Sequence, residues 1–148
     1  MDWRWLPFDA LTTVELYALL KLRAEVFVVE QRCAYADVDG LDPAAHHLLG
    51  CVDGALTASL RAFPPPLDAP HATIGRVVVA PAWRGRGTGD ALMRRGVEAC
   101  NTAWPGAPIR LNAQAHLEGW YQRLGFRRDG LPFDEDGIPH VPMFAQPT

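Results

Sequence analysis

From Val77 to Gly89 the chain reads Val-Val-Val-Ala-Pro-Ala-Trp-Arg-Gly-Arg-Gly-Thr-Gly. A β-branched run from Ala72 to Val79 is stopped at Pro81, and glycines follow at 85, 87 and 89. Leu92, Gly96, Ala99 and Cys100 then mark one face of a helix, so the unit is strand, turn, helix. A helix start leaves several backbone N–H groups without internal partners and carries the positive end of the helix dipole. Glycines let that backbone approach a bulky anion. Arg84 and Arg86 add positive charge. The segment is therefore a candidate pyrophosphate cradle. Two familiar phosphate loops do not fit it. A nucleoside triphosphate loop needs a lysine that does not follow Gly89. A dinucleotide turn needs a third glycine where Asp90 stands.

Other elements surround this unit. Trp3 to Phe8 is a short first strand. Thr12 and Glu15 form a capping-box pattern. Leu16, Leu19, Leu20, Ala24 and Phe27 recur at helical spacing and predict a long helix ending near Val28 to Gln31. The polar stretch from Arg32 to Ala45 predicts a loop. His47 to Val52 and Ala55 to Phe63 are strands around Asp53-Gly54, a strong hairpin signal. Pro64, Pro65 and Pro66 make the next connection a loop. The helix after the glycine turn is expected to break from Asn101 to Pro108. Ile109 to Asn112 is a short strand. Leu117, Trp120, Tyr121 and Leu124 give a helical stripe that Gly125 stops. Phe126 to Arg128 and His140 to Ala145 are the last strands, with a turn around Asp134 to Gly137. The expected fold class is α/β (α+β), a mixed central β-sheet flanked by helices, in the order β-α-β-β-β-α-β-α-β-β.

Length excludes little beyond a second domain: 148 residues fit one domain, expected to span 1–148. The formal net charge of −3 argues against a general nucleic-acid binder, which usually carries a basic excess. Cys33, Cys51 and Cys100 have no metal-ligand spacing, so free thiols in a reducing compartment are expected and no metal is. Met1 to Phe8 lacks a signal-peptide pattern and no apolar run has the length of a membrane span. A cytoplasmic location without membrane partners is the expectation.

Arg84-x-x-Gly87-x-Gly89, directly after a strand, resembles the coenzyme A signature of the GNAT superfamily of acetyl-CoA-dependent N-acetyltransferases. A second landmark agrees. The run from Asn112 to Phe126 has a strand ending in Asn, a helix carrying the pair Trp120-Tyr121, and then Gly125-Phe126. Within the superfamily, Phe27 to Gln31, Ala113 to His116 and Glu135 to His140 are similar to the ElaA-like group of small bacterial proteins.

The resemblance implies direct acetyl transfer to an amine. Coenzyme A would lie between two splayed strands, its pyrophosphate against Arg84, Gly85, Arg86, Gly87, Thr88 and Gly89. Its pantetheine arm would pair with Val77 and Val79, and a backbone N–H near Val77 or Val78 would hold the developing oxyanion. Asn112 ends the strand on the far side. Tyr121 stands at the family position of the general acid that protonates the departing thiolate. The base is not implied. An alkyl amine has a reference pKa of about 10.4, so about one molecule in a thousand is unprotonated at pH 7. Thr73-Ile74-Gly75-Arg76, the central-strand stretch, has no carboxylate. Candidates are Glu30, His116 and, from the final strands, His140. Asp37, Asp39 and Asp42 are expected to be solvated loop charges unless they attract a cationic acceptor. Arg76 is a core ion-pair partner or a substrate contact. The alternative to an enzyme is a coenzyme A-binding sensor or partner module without catalysis. A homodimer is a family-level expectation.

Overall fold

Eight strands and three helices build the protein, whose structure is a computed structural model describing residues 1–148. In chain order the strands are β1 (Asp2–Pro7), β2 (His46–Val52), β3 (Ala55–Phe63), β4 (Ala72–Val79), β5 (Ile109–Gln114), β6 (Arg127–Arg128), β7 (Phe133–Glu135) and β8 (Ile138–Ala145). The helices are α1 (Thr13–Arg23), α2 (Thr88–Ala103) and α3 (Glu118–Arg123). One mixed sheet runs β1-β2-β3-β4-β5-β8-β6, with β7 also paired to β8. Every pairing is antiparallel except β4 with β5.

The start of α1 is set by the expected capping box. Thr12 Oγ1 accepts from the Glu15 amide at 3.0 Å, and the Thr12 amide donates to Glu15 Oε1 at 2.9 Å. The helical run ends at Glu30, as its pattern predicts, but it is not α-helical throughout. At Ala24 it widens into a π-helical stretch that lasts to Glu30. Apolar spacing could not show this, because it registers only the 3.6-residue turn.

Helices cover both faces of the sheet. On one, Leu92 and Met93 of α2 pack without exposed surface against Leu60 and Ile74. Each such side chain stabilises the fold by roughly 1.5–3 kcal/mol. Gly96 lets α2 lie close on β3: a β-carbon there would stand 2.7 Å from Leu60 Cδ2. This packing carries α2 to Ala103, past the expected break at Asn101. On the other face, Leu22 of α1 and Val26 of the π-helical stretch cover Val78.

Two sequence expectations need correction here. Asp37 and Asp42 are not solvated loop charges. They are buried beneath α1, where Arg23 Nε meets Asp37 Oδ2 at 3.0 Å and Arg23 Nη1 meets Asp42 Oδ1 at 2.7 Å. Asp39 pairs with Arg61 at 2.7 Å and Arg76 pairs with Asp37 at 2.8 Å, so Arg76 is an ion-pair partner. Six alternating charges thus lock residues 37–42 to α1, β3 and β4. The second correction is β7. Asp136 and Gly137, at φ 52° and 80°, make a two-residue hairpin turn, and this tight turn pairs Phe133–Glu135 with β8.

Candidate active site

The parallel pair β4 and β5 holds register only at Ala72 with Ile109 and Thr73 with Arg110. Beyond those pairs the two strands part. β4 keeps β3 on its outer side, and β5 keeps β8 along its whole length. The wedge opens a cleft of about 1200 Å³.

A bulge shapes the β4 wall. Ser59 pairs with Val78 while Arg61 pairs with Gly75, so β4 has one residue more than β3 over this interval. Arg76 occupies the irregular position at φ 50°. Bulges bend a strand and re-aim its groups. Val77, Val78 and Val79 follow it and line the cleft.

The glycine turn closes one end. Gly85 and Gly87 are left-handed at φ 73° and 77°, and a β-carbon on either would meet nothing within 4 Å. The space beside the turn is therefore open to a ligand. Gly87 is the N-cap of α2, and no side chain caps the helix. The first bond inside α2 runs from the Ala91 amide to the Gly87 carbonyl at 3.1 Å. The amides before it, including those of Thr88 and Gly89, have no partner within the helix and suit a diphosphate.

The two arginines behave differently. Arg84 donates from Nε to the Val79 carbonyl at 3.2 Å and pairs through Nη1 with Glu30 at 2.9 Å. This latches the cradle to the π-helical stretch. Arg86 lies over the Trp83 ring at 4.9 Å, outside the cleft lining.

Tyr121 enters the cleft from α3 and is 6% exposed. Burial alone raises its pKa above the usual phenol value, so it stays protonated at neutral pH. Its ring packs edge-on against Trp120 at 4.7 Å and Phe126 at 6.0 Å. Trp120 in turn donates its indole N–H to Asp90 Oδ1 at 2.6 Å. The first turn of α2 and the tyrosine are therefore tied together.

Residues 65–146 match the family model of the acetyltransferase (GNAT) domain. The chain belongs to the GNAT acetyltransferase family. Protein ElaA of Escherichia coli K12 is 43% identical over 145 residues, 97% of this chain and 95% of ElaA. A UPF0039 protein of Synechocystis is 37% identical over 144 residues, 97% of this chain and 94% of that protein. Two solved structures superpose with a TM-score of 0.93. One is an acyl-CoA N-acyltransferase from Pseudomonas aeruginosa, at 45% identity over 98% of this chain and 99% of that one. The other is Escherichia coli ElaA, at 41% identity and the same coverage. The protein is an acetyl-CoA-dependent N-acetyltransferase of the ElaA-like group, and acetyl-CoA is its cosubstrate.

Val77, Val78, Val79, Arg84, Gly85, Gly87, Thr88, Gly89, Asn112 and Tyr121 all line the cleft. Glu30 and His116 line it too, and both are exposed. Arg86 alone stands outside. No helix is long and apolar enough to cross a membrane.

Other contacts at the cleft were not foreseen. Gln114 Nε2 donates to Gln31 Oε1 at 3.3 Å, spanning from the end of β5 to the residue after the π-helical stretch. Cys33 Sγ donates to the Asp136 carbonyl at 3.3 Å beside it. Gln31, Gln114 and Asp136 all stand in the segments that carried the ElaA-like resemblance, which was the available signal.

Replacing Gly87 with Ala is expected to strain the left-handed turn by about 1–2 kcal/mol. It also fills the open side of the cradle. A weaker acetyl-CoA dissociation constant by calorimetry, with a lowered thermal midpoint, is the expected result. An unchanged affinity would mean that the cosubstrate does not approach this glycine.

Proposed function

We propose that residues 1–148 form one acetyltransferase domain that passes the acetyl group of acetyl-CoA to a primary amine by direct attack on the thioester. One observation carries this reading. The wedge between β4 and β5 opens onto an uncapped, glycine-lined helix start, and a buried phenol faces the same cleft.

In this reading the amides from Gly85 to Gly89 receive the pyrophosphate. The free edge of β4 at Val77 and Val79 pairs with the pantetheine arm, and Asn112 flanks it from β5. A backbone N–H at Val77 or Val78, turned by the bulge, stabilises the oxyanion as charge moves onto the carbonyl oxygen. Tyr121 gives its proton to the leaving sulfur. Glu30 holds Arg84 at the cradle, and to act as a base it must first leave that pair. His116 lines the cleft as well and is exposed, so it could reach an acceptor only through water.

Titration calorimetry tests the cradle, with acetyl-CoA, coenzyme A and ATP as ligands. Saturable binding of the first two, without ATP, is expected. Equal binding of ATP would reduce the turn to a general phosphate site. No binding of acetyl-CoA would remove the reading.

A further inference from the structure

We infer that His140, backed by Glu135, is the group that deprotonates the acceptor amine. This rests on the transferase reading above and supplies the base that the central strand lacks. His140 lies on β8, opposite Gln114 at the end of β5, and is 8% exposed. Its side chain lines the same cleft as Tyr121. From Gln114, the partner of His140, only a short helical turn separates β5 from α3, which carries Tyr121.

The surroundings of the ring define its chemistry. Nδ1 is 2.7 Å from the Ile138 carbonyl, which can only accept, so Nδ1 carries the hydrogen. In the neutral ring Nε2 then keeps its lone pair. Glu135 Oε2 stands 3.5 Å from Nε2, too long for a strong charged hydrogen bond. The carboxylate leaves the lone pair available, yet is near enough to stabilise the imidazolium once a proton arrives. Once Nε2 has taken a proton, the imidazolium has an acceptor at each nitrogen, the Ile138 carbonyl and the Glu135 carboxylate. Phe133 stacks on the ring at 5.8 Å and fixes its plane. Glu135 is half exposed, which gives the captured proton a way out to water.

The hairpin turn fixes this arrangement. Phe133 pairs with His140 across β7 and β8, and Glu135 sits with Ile138 at the turn. Asp136, Cys33 and His116 are among the other ionisable groups that line the cleft. Asp136 and Cys33 are joined through the Asp136 carbonyl, and His116 is exposed.

The proton balance is closed. An N–H bond of the substrate ammonium breaks and the Nε2–H bond of His140 forms. The freed nitrogen attacks the thioester carbonyl, the C–S bond breaks, and sulfur takes the Tyr121 proton. The new amide nitrogen loses its second proton, which restores Tyr121, and His140 passes its own to water by way of Glu135. One ammonium and one thioester give one amide, one thiol and one proton in solution.

Two measurements test the assignment. The first needs no acceptor. In the ¹⁵N spectrum of the intact protein, the neutral form of the His140 ring is expected to carry its hydrogen on Nδ1; a neutral Nε2–H tautomer would overturn the proposal. The second follows thiol release from acetyl-CoA with a panel of primary amines. His140→Gln is expected to lower kcat/KM by about 100-fold. It also removes the acid limb of the pH profile and leaves acetyl-CoA affinity unchanged. Glu135→Gln gives a smaller loss and keeps the limb. A His140→Gln enzyme with the parent profile would overturn the base while leaving the transferase standing. No thiol release by the parent enzyme with any amine would bring down both.

Discussion

Tyr121→Phe is expected to lower kcat by roughly 10²–10⁴-fold, the usual contribution of a positioned general acid. The substitution removes one oxygen and keeps the ring. The packing against Trp120 and Phe126 survives, and so does the tie from Trp120 to Asp90. Acetyl-CoA affinity should therefore match the parent. The fold should hold as well, because the ring that packs against Trp120 and Phe126 is kept. Single-turnover measurements with saturating acetyl-CoA separate the chemical step from product release. Full activity in Tyr121→Phe would mean that the thiolate leaves without this proton, and that the cleft's phenol is a packing group.

Arg23→Met is the substitution with the largest expected effect on stability. Arg23 is 1% exposed and serves both Asp37 and Asp42. Its Nη2 also donates to the Asp37 carbonyl at 2.9 Å. Removing one side of a buried ion pair typically costs about 3–5 kcal/mol, because the remaining charge is left without compensation. Asp37 keeps Arg76 and Tyr35, and Asp42 keeps Arg61, which puts the loss near the lower end. For a chain of this size that corresponds to a drop of about 10 °C in thermal midpoint.

The effect has a pH signature. Burial opposes ionisation of Asp42, but Arg23 and Arg61 outweigh it and hold the carboxyl below its usual value. Hydrogen bonds from Arg61 hold Asp39 well below the carboxylate range, against partial burial. Both folded pKa values are depressed. Their stabilisation is thus fully present above the unfolded value of about 3.9 and is lost as pH falls through the folded values. The gap between Arg23→Met and the parent should narrow below about pH 4. Thermal melts from pH 7 down to pH 3 measure both quantities. A gap that stays constant across that range would assign the loss to packing and not to charge.

Local signals carried much of the architecture. The capping box at Thr12, the Asp53-Gly54 hairpin and the stop at Gly125 each depend on a few neighbouring residues, and each appears in the structure. The glycine turn was legible for the same reason: φ near +75° at Gly85 and Gly87 is a local demand that few other residues meet. What depends on distant partners was not legible. Asp37 and Asp42 have the composition of loop charges, and only α1 and β3 folding over them make them buried. Residues 24–30 look α-helical because the π turn is a property of hydrogen-bond register and not of apolar spacing. Glu135 and His140 lie five positions apart in the chain. Their approach depends on a two-residue turn that folds β7 onto β8. The turn was expected around Asp134 to Gly137, but the pairing of Phe133–Glu135 with β8 was not.

The short register between β4 and β5 divides the sheet. Ala72 and Ile109 have almost no exposed surface, and they join one half, β1 to β4, to the other, β5 to β8. From that point the strands diverge toward Val79, the far end of β4, and the cleft lies in the opening between them. The width of the cleft thus begins where two interior strands stop pairing, at a buried contact whose residues, Ala72 and Ile109, do not line it.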